Sequence, residues 1–89
     1  MNPVSIETLS EEQIFSRGIR DWPVLTKEKS KFPWHYDQKE QCLILEGEIV
    51  VRAQGEQYHI KSGDFVTFEE GLSCEWEVVE PVRKHYSFG

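Results

Sequence analysis

Glycines stand at positions 47, 55, 63 and 71, one every eight residues, and the segments between them are rich in β-branched and aromatic side chains. Such a segment holds one short strand and a turn, and is too short for a helix of ordinary length plus its connections. The same texture extends back to the Trp22-Pro23 step and forward to the end of the chain. Strands are predicted at 22–27, 31–36, 40–46, 48–53, 57–60, 64–68, 73–79 and 82–88. The residues between the glycines do not resemble one another, which excludes a solenoid of repeats. Eight short strands with glycine turns specify an all-β fold, a small antiparallel β-barrel or jelly roll.

One short N-terminal helix precedes the strands. Ser10 and Gln13 form an S-x-x-Q capping box, Glu11 and Glu12 sit at the positive end of the helix dipole, and Gly18 stops the helix. Ile14 and Phe15 give it only a narrow apolar face, so it must dock on something larger. With 89 residues the chain is expected to be a single domain, 1–89, made of an N-terminal arm and helix over 1–21 and a barrel over about 22–88. At this size the eight Trp and Phe and three Tyr must supply much of the hydrophobic free energy.

A net charge of -6 repels phosphate backbones and anionic lipid surfaces, so neither nucleic acid nor membrane is expected as a partner. No stretch approaches the roughly 18 apolar residues of a membrane span, and the N-terminus lacks the basic-then-apolar order of a secretion signal. The expected location is cytoplasmic. Two cysteines, Cys42 and Cys74, are too few for a disulfide scaffold and would stay thiols in a reducing compartment.

Strand alternation sorts the side chains. Glu40, Cys42 and Ile44 share one face, and Gln41, Leu43 and Leu45 the other. Cys74, Trp76 and Val78 point inward, opposite Glu75 and Glu77, which should face water. Both faces of the strand at 40–46 carry apolar residues, so its outer face must be covered by the N-terminal segment or by a second subunit; a homodimer is expected.

The run Glu40-Gln41-Cys42-Leu43-Ile44-Leu45-Glu46-Gly47 matches the E-x6-G end of the first cupin motif, with Leu45-Glu46-Gly47 resembling its common turn. The second motif, G-x5-P-x-G-x2-H-x3-N, is met by Gly63-Asp64 and Gly71, with Glu69 at the proline position, Cys74 at the histidine position and Val78 at the asparagine position. The chain thus resembles a small single-domain cupin, an RmlC-like jelly roll. Trp34-His35-Tyr36-Asp37, Glu40 and the closing Arg83-Lys84-His85-Tyr86 resemble the branch related to ureidoglycine aminohydrolase and the ethanolamine-utilisation cupins, whose short members include many of unassigned reaction.

The resemblance implies a site for one divalent metal, held by an H-x-H pair, the motif-one glutamate and the motif-two histidine. Here Glu40 keeps its place and Cys74 replaces the last histidine, while the H-x-H positions fall on Trp34 and Tyr36 or on Pro33 and His35, according to the spacing used. His35, Glu40, Cys74 and Cys42 would form a mixed set suited to zinc or iron. The preferred reading is two thiols packed as small apolar groups beside a hydrogen-bonded Glu40, without a cofactor. A Cys42–Cys74 disulfide across the barrel is a further alternative.

Trp34, Tyr36 and Trp76 point to an aromatic cavity with a few polar groups, the usual way of holding a small ligand. Aromatic residues also simply fill small barrels. Arg83 and His85 share one face of the last strand and Lys84 and Tyr86 the other, so one pair faces the cavity; if it is Lys84 and Tyr86, they can hold a carboxylate or enolate there, and Lys84 and Tyr36 are the candidates for acid/base catalysis. Arg83 is expected to pair with surface acids such as Glu75 or Glu77, and His59 to sit at the surface. Three functions follow: a cavity that binds a small polar molecule, a metal-dependent enzyme with a Glu/Cys/His site, or a non-catalytic homo-oligomeric interaction module.

Overall fold

The computed structural model describes residues 3–89. Among them the elements run β1 (Val4–Thr8), α1 (Glu11–Ser16), a 3-10 turn (Ile19–Asp21), β2 (Val24–Lys27), β3 (Ser30–His35), β4 (Glu40–Ala53), β5 (Glu56–Lys61), β6 (Asp64–Phe68) and β7 (Ser73–Phe88). The strands form one sheet in the order β1-β6-β4-β7-β2, with β3 also on β7 and β5 also on β4. Every pairing is antiparallel. The result is the antiparallel jelly-roll barrel expected, with one short helix. No helix among the described residues is long and apolar enough to cross a membrane.

Two expected turns turn out to be one bend. The predicted breaks at Gly47 and at 80–81 lie within the long strands β4 and β7, which run side by side and shift register between Ile44 and Ile49. Gly47 has φ +98°, and a Cβ there would lie 2.3 Å from the Pro81 carbonyl oxygen. Gly47 and Pro81 therefore mark a shared bulge that folds both strands over the core. Pro81 is tolerated because, on the other side of β7, β2 pairs only as far as Val82 and β3 resumes at Val78. No neighbour strand needs the N–H that proline lacks.

An additional strand lies in the N-terminal arm. Val4–Thr8 pairs with β6 from Val4 opposite Phe68 to Thr8 opposite Asp64. Its Val4-Ser5-Ile6-Glu7 alternation is the signal for it, and Val4 is buried in the core while Ile6 is largely exposed.

The helix forms as its residues dictate. Ser10 Oγ accepts from the Gln13 backbone N–H at 3.1 Å, and Gln13 Oε1 accepts from the Ser10 N–H at 2.9 Å. Such a cap contributes about 1 kcal/mol. Gly18, at φ +66°, takes the left-handed conformation that ends the helix. Ile14 and Ile19 then pack with Leu43 and Phe65, alongside Leu9, Trp22 and Leu45. The outer face of β4 is thus covered by the chain's own N-terminal segment. The apolar residues there, on which the expectation of a partner subunit rested, are already accounted for.

The main core lies inside the barrel. Cys42, Ile44, Ile49, Val51, Ile60, Val66, Phe68 and Val78 are closed to solvent together with Tyr36 and Trp76. Glu75 and Glu77 face outward as expected, but they pair with Arg52 at 3.4 and 2.9 Å, and Glu75 also lies 3.9 Å from Lys31. Arg83 pairs instead with Glu46, 3.5 Å away, because register sets Glu46 opposite Arg83. His59 is exposed and pairs with Glu48 across the β4–β5 ladder.

Candidate functional site

Inside the barrel a cavity of about 300 Å³ is lined by Leu25, Lys27, Phe32, Trp34, Tyr36, Glu40, Trp76, Lys84, Tyr86 and Phe88. Four strands and the β3–β4 connection deliver these residues, and alternation explains which ones arrive. On β3, Phe32 and Trp34 point in with Tyr36 just beyond, while Pro33 and His35 point out. On β7, Trp76, Lys84, Tyr86 and Phe88 share the inner face, since the two-residue alternation runs on from 76 to 88.

The charged centre is an ion pair. Lys84 Nζ donates to Glu40 Oε2 at 3.0 Å, and their side chains are only 5% and 4% exposed. Lys84 lies between Ile44 of β4 and Leu25 of β2, and its ammonium also sits 4.6 Å from the centre of the Trp76 ring. The ring face adds about 2 kcal/mol of attraction when the cation is desolvated. Two charges out of water are tolerated only because each meets the other with good geometry.

Rings form the walls. Tyr36 stacks on Phe68 with centroids 4.9 Å apart, and its hydroxyl accepts from Trp76 Nε1 at 3.2 Å. Phe32 stacks on Trp76 at 6.0 Å, and Trp34 meets both Phe32 and Tyr36 edge to face. Trp34, Leu25 and Phe88 are 47%, 41% and 48% exposed and mark the mouth. Burial first, then the nearby Glu40 carboxylate, pushes the Tyr36 hydroxyl well above its ordinary range. Tyr36 is therefore a neutral phenol throughout the physiological pH range.

The thiols lie beside the cavity. Cys42 is fully buried, and burial raises it to about 12 in spite of the opposing pull of Lys84. Cys74 is half-buried against the core and is raised to about 11, by burial and then by Glu40. Both are free thiols. Neither has the electropositive, accessible setting of a reactive cysteine.

The metal-ligand set read from the sequence is not brought together. His35 lies on the outer face, its Nδ1 2.7 Å from Ser73 Oγ and its Nε2 3.8 Å from Asp37. Strand alternation turns it away from Glu40, which corrects its assignment as a ligand. Among the described residues no three His, Cys, Asp or Glu side chains converge on a point that could hold a metal ion. The family's metal positions carry Trp34, which has no donor lone pair, Tyr36, a buried neutral phenol, Glu40, already bound by an ammonium, and Cys74, a thiol that burial keeps protonated. The residues present do not fit the metal.

Of the ligand-binding candidates, Trp34, Tyr36, Trp76, Lys84 and Tyr86 all line the cavity. Sequence reasoning missed Lys27, Phe32, Leu25 and Phe88. Phe32 was accessible from its i, i+2, i+4 relation to Trp34 and Tyr36; Lys27 was not, because only the sheet order brings β2 to the cavity wall.

The chain matches the EutQ-like cupin domain over residues 16–86. It is 38% identical over 69 residues to the Salmonella typhimurium protein named acetate kinase EutQ, and 34% identical over 69 residues to the Escherichia coli protein of that name. Each alignment takes in 78% of this chain and only 28% of the relative, so the chain spans little more than a quarter of their length. Among solved structures, a DUF861-family protein of Thermotoga maritima superposes with a TM-score of 0.94 at 46% identity, covering 97% of this chain and 99% of that one. A putative ethanolamine utilization protein Q of Salmonella typhimurium superposes with a TM-score of 0.67 at 28% identity, over 96% and 68% of the respective chains. A jelly-roll barrel carrying both motifs and this family match belongs to the EutQ-like cupin family.

Proposed function

We propose that this cupin binds a small molecule in its barrel without a metal, using the Lys84 ammonium as the fixed cation of the site. The observation that carries the reading is the Lys84–Glu40 pair: the family's metal-ligating glutamate has a lysine as its counter-ion, 3.0 Å away, beneath a cavity walled by aromatic rings. A mostly apolar pocket with a few convergent polar groups is the usual form of a small-ligand site. The cytoplasm is the proposed location, a reading supported by the two free thiols.

Binding is favoured over catalysis on the same geometry. Tyr36 is a neutral phenol already engaged with Trp76, and Lys84 is already engaged in the ion pair with Glu40, so neither side chain is free to take a proton from a ligand. The acetate kinase activity in the relatives' name belongs to proteins of which this chain covers 28%, and it is not carried over.

Metal analysis of protein prepared without chelators or a nickel column tests the reading. The expected content is below about a tenth of an equivalent of any transition metal. A stoichiometric metal that is lost on Glu40→Gln would overturn it and favour the metal-dependent enzyme.

A further inference from the structure

Three charged residues line the cavity: Lys27, Lys84 and Glu40. Glu40 neutralises Lys84. Lys27 lies over the Phe32 ring, 4.7 Å from its centre, and among the described residues it forms no ion pair with a carboxylate. The cavity therefore carries one net positive charge in a chain whose net charge is -6. That local reversal of sign selects for an anion.

The placement of the lysines also excludes the other ligand charges. Lys84 and Lys27 are stationed over Trp76 and Phe32, which stack on each other at 6.0 Å. Those ring faces already serve cations, so the rings do not form a vacant cage for a ligand ammonium. A dianion such as a phosphate monoester would bring one charge more than the cavity can balance, against apolar walls where an uncompensated charge is costly. One negative charge satisfies the site. The rest of the ligand must be apolar, since Trp34, Leu25 and Phe88 are what it meets at the mouth.

We propose that the ligand is a monocarboxylate with an apolar or aromatic body small enough for a cavity of about 300 Å³. Its carboxylate pairs with Lys27 and takes a further hydrogen bond from Lys84, whose ammonium has three N–H donors and gives one to Glu40. The inference rests on the barrel cavity being a ligand site, and adds the chemical class and the role of Lys27.

The chain's three tryptophans make the test direct, because Trp34 and Trp76 line the cavity whereas Trp22 packs under the helix. Phenylacetate, phenylacetamide and phenylethylammonium, similar in size but different in charge, are titrated into ¹⁵N-labelled protein while the indole N–H signals are followed. Phenylacetate is expected to move the Trp34 and Trp76 signals but not Trp22, with a Kd at least about tenfold below that of the amide. Lys27→Gln, at an exposed position, is expected to weaken phenylacetate about fivefold or more and the amide by clearly less, narrowing the preference for the carboxylate. If the amide or the ammonium moves the same two signals equally well, the carboxylate assignment is overturned and the cavity reading stands. If none of the three moves them, both fall.

Discussion

Lys84 Nζ and Glu40 Oε2 lie 3.0 Å apart, and both side chains are at least 95% closed to solvent. The two residues are 44 positions apart in sequence, on the paired strands β4 and β7; register sets Glu40 opposite Phe88 and Lys84 opposite Ile44, so the two side chains reach toward each other inside the barrel. Removing one partner leaves the other charge buried alone, at a cost of about 3–5 kcal/mol. Glu40→Gln and Lys84→Met should each cost stability on that scale in urea unfolding. The double variant Glu40→Leu/Lys84→Met should return to within about 1 kcal/mol of the wild type, because an apolar pair incurs no desolvation penalty.

The two cavity tryptophans should separate stability from binding. Trp76 is buried between Phe32 and Phe68, so Trp76→Ala should cost about 3–5 kcal/mol. Trp34 is 47% exposed at the mouth, and Trp34→Ala should cost less than about 1.5 kcal/mol while weakening any cavity ligand. Thermal melts of the two variants give the comparison.

At Gly47 the backbone has φ +98°, and an added Cβ would lie 2.3 Å from the Pro81 carbonyl oxygen and 2.7 Å from Val82 Cα. Gly47→Ala should therefore destabilise by about 3 kcal/mol or more, since neither the dihedral nor the backbone contact can relax cheaply. Gly55 also has a positive φ, +78°, but open space around it. Gly55→Ala should cost only about 1–2 kcal/mol, the strain of the dihedral alone. Denaturant midpoints of the two variants measure the difference.

The thiols predict alkaline sensitivity. Cys42 is raised from an ordinary 9.0 to about 12, and Cys74 from 9.0 to about 11. Above pH 9 the unfolded chain releases these protons while the folded chain keeps them, so stability is complete below pH 9 and falls as pH rises through the folded values. Each such group lowers stability by at most about 1.4 kcal/mol per pH unit in its window. Unfolding free energies between pH 8 and 11 should fall less steeply in Cys42→Ala than in the wild type. Cys42 should resist a thiol reagent at pH 8 in the folded protein, and both thiols should react in denaturant.

Much of this was legible in the sequence. The glycine period and the β-rich segments specified the barrel, and the Ser10–Gln13 box specified the helix. Alternation placed Trp76 inward and put Lys84 and Tyr86 on one face without deciding between it and the face of Arg83 and His85; with Trp34 and Tyr36 they all line the cavity. The fused strands were not legible, because glycine and proline mark a bulge in a paired strand with the same residues as a turn. That Gly47 faces Pro81 is a fact of register between segments more than thirty residues apart. Lys27 was hidden for the same reason, and so was the Lys84–Glu40 pair, since alternation left open which face of the last strand points inward. His35 was placed by motif spacing over the alternation that turns it outward.

Metal-independent binding in the barrel is tested most directly by the melting temperature of chelator-treated protein. The panel comprises small carboxylates, ureides and amino-alcohols, each with EDTA, and zinc and ferrous iron without it. The expected result is a saturable rise of several degrees with at least one organic compound in EDTA, a carboxylate foremost, and no comparable rise with either metal; a ligand present at 100 times its Kd stabilises by about 2.7 kcal/mol. A rise with metal alone, or with organic compounds only when a metal is supplied, would contradict it.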